Sequence, residues 1–177
     1  MELFSEFEDK INDNPPAPLA DRMRPSDWND LLGHAKLVGE GKPLRKLITG
    51  KSRLSFILWG PPGSGKTTIA RIAAHVTDSE FHEISAVNAG VADIRKVINQ
   101  AQKIWRSYKR GSILFIDEIH RFNKSQQDAV LPQVENGTLR LIGSTTENPS
   151  FEVIPALRSR CQIFRLESPS QEDVRRL

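Results

Sequence analysis

The stretch Gly60-Pro61-Pro62-Gly63-Ser64-Gly65-Lys66-Thr67 constrains this chain more tightly than any other. It meets the pattern G-x-x-x-x-G-K-[ST] at every fixed position. The apolar run Leu54-Ser55-Phe56-Ile57-Leu58-Trp59 precedes it and reads as a buried strand. Beyond it, Ile69, Ile72, Ala73 and Val76 recur at helical spacing. Strand, glycine turn and helix start are the context that the pattern needs. Glycines let backbone N–H groups close around phosphate oxygens, and the helix points its positive dipole end at the same place. Gly60 through Thr68 are therefore expected to hold phosphate. Lys66 should reach the β- and γ-phosphates, and the Thr67 hydroxyl should join a Mg²⁺ shell. These residues predict a site for a nucleoside triphosphate such as ATP.

Composition narrows the setting. At 177 residues the chain is long enough for one domain with a real core. No apolar run approaches the roughly 20 residues that cross a bilayer, so no membrane partner is expected. Glu2, Glu6, Glu8 and Asp9 exclude the basic-then-apolar layout of a secretory leader. The single cysteine, Cys161, excludes an internal disulfide framework and suits a reducing cytoplasm. A Cys-built metal site is excluded too, so any metal is expected to be Mg²⁺ arriving with nucleotide. The net charge of +3 is unevenly spread: residues 1–18 hold five acids and one lysine, leaving +7 on the rest. That basic remainder permits nucleic-acid binding without demonstrating it.

Residues 1–18 read as an arm, a short amphipathic stretch followed by the proline-rich Asn14-Pro15-Pro16-Ala17-Pro18. A lead-in follows, with a helix start at Pro25-Ser26-Asp27-Trp28 capped by Ser26, and a second helix over roughly Lys42 to Thr49. Past the glycine loop and its helix, Phe81 to Ser85 alternates like a strand. Val91, Ile94, Val97, Ile98, Ala101, Ile104 and Trp105 mark an amphipathic helix. The continuous apolar run from Ser112 to Ile116 suits a strand covered on both faces. A helix over about Ser125 to Glu135 should be distorted at Pro132. Strands are predicted again at Leu139–Gly143 and Ile163–Leu166, and Ser170 with Asp173 should open a last helix. Strands alternating with helices predict an α/β fold, a mainly parallel five-stranded sheet with helices on both faces. Ligand should lie at the carboxyl ends of the strands, among the loops at 60–67, 117–124 and 144–150.

Asp117 and Glu118 close the apolar strand and form the second chemical element. Asp117 is placed to hold Mg²⁺ through its water shell, and Glu118 to polarise an attacking water as general base. With a phosphate loop upstream, the pair points to a hydrolase, and no phosphoacceptor pocket suggests a kinase.

Taken with what surrounds them, these elements resemble the AAA+ ATPases, a branch of the P-loop NTPases. The stretches Pro18 to Pro25, Leu32-Gly33-His34, Ile57 to Gly63, Ile116 to Asp128 and Gly143 to Phe151 look like the replication-associated recombination protein A group, also called the MgsA or Werner-helicase-interacting-protein type. The resemblance covers about residues 17–177. It implies an ATPase with Thr146, or alternatively Thr145, as the sensor of the γ-phosphate. In Ala156-Leu157-Arg158-Ser159-Arg160-Cys161 it implies Arg160 as an arginine finger acting on ATP in a neighbouring subunit, with Arg158 as the alternative. Arg22 to Pro25 with Leu32-Gly33 resembles the strip beside adenine. Single-stranded, gapped or forked DNA, single-stranded-DNA-binding protein and a homo-oligomer are the implied partners, in a cytoplasmic, nucleoid-associated setting. Asn88-Ala89-Gly90 and Lys124-Ser125 are the implied DNA-phosphate contacts. The resemblance divides the chain into an arm (1–18), a nucleotide-binding core (19–170) and the start of a helical lid (171–177), so the chain is expected to be truncated there.

Overall fold

The computed structural model describes residues 22–50 and 54–175, so the predicted arm over 1–18 lies outside the described residues. Five strands make one sheet: β1 (Ser55–Trp59), β2 (Glu80–Ser85), β3 (Ser112–Asp117), β4 (Arg140–Thr145) and β5 (Cys161–Arg165). Their order is β2-β3-β4-β1-β5, and every pairing is parallel. Parallel neighbours need crossovers, which the helices supply. The principal ones are α3 (Lys66–Val76), α4 (Val91–Tyr108) and α5 (Lys124–Glu135), with α1 (Ala35–Val38) and α2 (Pro43–Thr49) in the lead-in. Two short helices, α6 (Pro149–Glu152) and α7 (Pro155–Arg158), separate β4 from β5, and α8 (Gln171–Arg175) follows the sheet.

The unbroken apolarity of the central strands has its cause here. Phe56, Leu58, Ile113, Phe115 and Ile142 point to one face, where they pack with α2, α3 and the buried Trp28. Ile57, Leu114, Ile116 and Leu141 point to the other, against Ile94, Ile98 and Ala101 of α4 and Val130 of α5. Side chains alternate along a strand, so two covered faces require two interleaved apolar sets. Arg140 is buried among them and donates to the carbonyls of Leu47 (2.9 Å), Ile48 (3.3 Å) and Leu54 (2.9 Å). A cation at the carboxyl end of α2 satisfies carbonyls that the helix cannot pair itself, and ties the lead-in to β4.

The lead-in differs from expectation. No helix starts at Pro25-Ser26. The Asp27 carboxylate accepts the Asn29 N–H (2.9 Å) and the Trp28 carbonyl accepts the Leu31 N–H (3.3 Å), which folds the segment into turns. Asp27 captures a nearby backbone donor, and that competes with helix. Helix α5 runs on to Glu135, the end that was expected, with Pro132 inside it. Proline has no N–H to give to the carbonyl of Asp128, four residues back, so the helix continues there without that bond. Strand β5 lies slightly upstream of its predicted place because its register with β1 runs from Ser55↔Cys161 to Trp59↔Arg165. The final helix opens as expected: Ser170 N–H and Oγ donate to Asp173 Oδ2 (3.0 and 2.6 Å), and Asp173 N–H returns a bond to Ser170 Oγ (3.1 Å).

Candidate active site

The loops at 60–67, 117–124 and 144–150 gather at the carboxyl ends of β1, β3 and β4, as a parallel sheet requires. Gly60 turns where a Cβ would meet the Leu166 carbonyl at 2.5 Å, so a side chain there is excluded. Gly65 stands at φ +83° as the residue before α3, a conformation that favours glycine. The helix therefore opens directly onto the loop with its first N–H groups unpaired by any preceding turn.

Lys66 is buried, and its Nζ donates to the carbonyls of Gly60 (2.9 Å) and Pro61 (2.8 Å). An ammonium has three donors, so one remains for an anion beside the loop. Burial pushes the Lys66 pKa below its ordinary value, and the negative charges of Glu118 and Asp117 act against that shift. Ser64 Oγ is buried without a partner among the described residues. An orphan hydroxyl of this kind, set in a glycine loop at a helix start, fits a site completed by an anionic ligand. The Ser64 carbonyl is 2.9 Å from His34 Nε2. Beside it, Gly33, His34, Ala35, Arg165, Ser170 and Asp173 line a cleft of about 530 Å³. His34, next to the Leu32-Gly33 step, thus touches the loop, and Arg24 reaches the start of its helix, its Nη1 lying 3.5 Å from Thr68 Oγ1.

Opposite the loop, Asp117 ends β3 and Glu118 takes a left-handed conformation (φ 56°, ψ 49°). Ser144 holds both. Its Oγ donates to Asp117 Oδ1 at 2.5 Å and accepts the Glu118 N–H at 3.1 Å. The left-handed turn takes Glu118 out of the strand's regular alternation, and Ser144 ties its backbone to the Asp117 carboxylate. Thr146 Oγ1 donates to Glu118 Oε2 (3.3 Å), and Trp59 Nε1 donates to the Thr146 carbonyl (3.3 Å). Thr145 is fully buried and its hydroxyl is engaged with Glu147 and His120. Of the two threonines, Thr146 is the one that touches Glu118.

The arginines lie elsewhere on the same protomer. Arg158 Nη1 donates to the Ser150 carbonyl. Arg160 donates to the Ala156 carbonyl (2.8 Å) and pairs with Glu135 at 2.6 Å. Both arginines are thus held on the surface formed by α5, α6 and α7, and their hydrogen bonds and ion pair stay on that surface rather than reaching the loop or the acids. Asn88-Ala89-Gly90 and Lys124-Ser125 are brought together, because Gln126 Nε2 donates to the Ala89 carbonyl (2.8 Å). Gly90 N–H donates to Asp93 Oδ2 (2.8 Å), and Asn123 caps α5 through Gln126 (3.0 Å). Among the described residues no group of three or more His, Cys, Asp or Glu could hold a metal ion. Thr67 and Asp117 fit a Mg²⁺ that keeps most of its ligands from water and phosphate. Ser144 and His120 were missed in the sequence, although both lie inside segments that it singled out.

A glycine phosphate loop facing an acidic strand end on a parallel five-stranded sheet defines an AAA+ P-loop NTPase, and residues 56–168 match the ATPase family associated with various cellular activities (AAA). The chain belongs to that family. It is 48% identical over 171 residues to replication-associated recombination protein A of Haemophilus influenzae, covering 97% of this chain and 38% of that protein. The Escherichia coli K12 protein of the same name is 49% identical over 164 residues, covering 93% of this chain and 36% of the relative. The chain thus spans little more than a third of the length of these relatives. The RuvB Holliday junction branch migration motor of Thermotoga maritima has a similar fold, with a TM-score of 0.63 and 30% identity over 82% of this chain and 48% of that one. No described helix is long and apolar enough to cross a membrane.

Proposed function

We propose that this chain is the ATP-holding and ATP-cleaving core of a DNA-stimulated ATPase that works in replication-fork maintenance and recombination. The observation that carries the reading is the Ser144 bridge, which joins the Asp117 carboxylate to the Glu118 N–H and so couples the two proposed acids. Lys66 and the N–H groups opening α3 would bind the β- and γ-phosphates, and Thr67 and Asp117 would hold Mg²⁺. The Mg²⁺ supplies charge neutralisation on the phosphate oxygens. Glu118 would take the proton of the attacking water, and Thr146 would orient Glu118 and sense the γ-phosphate. Arg160 would leave Glu135 to act on ATP bound by a neighbouring copy, with Arg158 bracing the segment through Ser150. Half-exposed ion pairs such as Arg160–Glu135 contribute about 1 kcal/mol or less, so this one yields readily to a stronger anion.

The names of the relatives support the DNA assignment, as does the pairing of the α4 and α5 starts through Gln126 and Ala89. DNA in single-stranded, gapped or forked form is the proposed effector, single-stranded-DNA-binding protein a proposed partner, and a homo-oligomer the proposed working state. The test is phosphate release against protein concentration, with and without gapped or forked DNA. Turnover per chain that rises with concentration and with DNA, and falls in Arg160→Ala, supports the reading. ATP bound without turnover under every condition would leave a nucleotide-gated interaction module instead.

A further inference from the structure

We infer that His120 is a positioning residue, which fixes the orientation of the Glu118 carboxylate through an Nδ1–H that is anchored on Thr145 and faces Glu118 Oε2. The inference deepens the proposed function and rests on Glu118 as the base. His120 sits in the short 3₁₀ turn Ile119–Arg121 after the acidic strand, with its side chain 10% exposed. Its Nδ1 lies 3.0 Å from Thr145 Oγ1 and 3.2 Å from Glu118 Oε2.

The tautomer follows from what those two neighbours have to offer. The Thr145 hydroxyl has a single hydrogen, and it is donated to the Glu147 carbonyl at 3.1 Å. The same oxygen already accepts the Glu147 N–H at 3.0 Å. With that hydrogen on the Glu147 carbonyl, the oxygen acts toward His120 as an acceptor. An ionised carboxylate oxygen is an acceptor as well. Both neighbours of Nδ1 need a hydrogen, so Nδ1 carries one. Directed at Thr145 and 3.2 Å from Oε2, it holds the Glu118 carboxylate beside the end of β4, and Ser144 and Thr146 grip the same residue. Thr146 donates to Oε2, and His120 Nδ1 lies 3.2 Å from the same oxygen. That leaves Oε1 as the oxygen available to a water among the described residues. Thr145 thereby gains a role distinct from that of its neighbour: it aims the histidine, while Thr146 touches the carboxylate directly.

Two measurements test this, one of them independent of catalysis. In the ¹⁵N-labelled chain at alkaline pH, ring ¹⁵N–¹H correlations report the tautomer of each of the four histidines. His120→Ala identifies its own signals by their loss. The expected result is an Nδ1–H ring whose Nδ1 resonance moves in Glu118→Gln, with His34, His75 and His82 unmoved. An Nε2–H ring, or a ring indifferent to Glu118→Gln, would overturn the assignment. In turnover, His120→Ala should lower kcat about tenfold or more with ATP affinity held within about twofold. His120→Asn places an amide N–H near the Nδ1 position and should restore most of the loss, whereas His120→Gln, which reaches toward the Nε2 position, should not. Equal losses in Asn and Gln, or a loss of ATP affinity, would contradict positioning. Absence of turnover in the unsubstituted chain would count against the hydrolase reading alone, and the ring spectra would then decide the His120 assignment.

Discussion

The phosphate loop and the acidic strand end face each other across one edge of the sheet, yet they satisfy their polar groups to opposite degrees. In the loop, Ser64 Oγ is buried without a partner among the described residues and the Lys66 ammonium leans on two carbonyls of the loop itself. At the strand end, hydrogen bonds join Asp117, Ser144, Glu118 and Thr146, and His120, bonded to Thr145, lies 3.2 Å from the Glu118 carboxylate. A buried polar group left unpaired costs about 1–3 kcal/mol, whereas a closed network rigidifies its members. The loop keeps its donors for a ligand. The strand end spends its own on geometry, so that the acids are already aimed when the ligand arrives.

Substitutions on the two sides should therefore fail differently. Glu118→Gln should cut ATP turnover by roughly a hundredfold to a thousandfold, with nucleotide binding retained, as read by phosphate release beside direct binding. Lys66→Ala should instead lower ATP affinity by about a hundredfold in equilibrium titration, because it removes a charge-assisted donor to phosphate. If both variants lost binding equally, the division of labour would be wrong.

Stability gives the same contrast without nucleotide. Ser144→Ala takes a donor from the Asp117 carboxylate and an acceptor from the Glu118 N–H. It should destabilise the chain by about 2 kcal/mol in denaturant unfolding. Ser64→Ala removes a hydroxyl that has no partner to lose, so it should be neutral or stabilising by up to about 1 kcal/mol. The smallest expected effect is on pH. Because burial lowers the Lys66 pKa in the folded chain, the unfolded chain binds more protons in the window below the ordinary lysine value. The contribution of this group to stability should rise with pH across that window, and Lys66→Met should flatten the slope.

Much of this was legible because it is written in contiguous residues. The glycine loop, the apolar strands and the acidic pair each announce themselves within a few positions, and strands alternating with helices imply the parallel sheet, though not its order. What escaped depends on contacts between distant segments. Ser144 meets Asp117 and Glu118 only because β4 pairs with β3, and His120 meets Thr145 across the same step. The lead-in was misread for a local reason. Asp27 offers its carboxylate to the Asn29 N–H, and that preference defeats a helix that Ser26 alone would suggest.

The central claim is that ligand completes the loop and leaves the strand end as it was. Amide hydrogen exchange with and without Mg²⁺–ATP tests it most directly, in Glu118→Gln so that nucleotide is not consumed. Protection should rise strongly across the amides of Gly63 to Thr68, while those of Asp117, Glu118 and Ser144 to Thr146 change little. Equal gains on both sides, or gains confined to the strand end, would mean that the acids are ordered by the ligand and that the division drawn here is wrong.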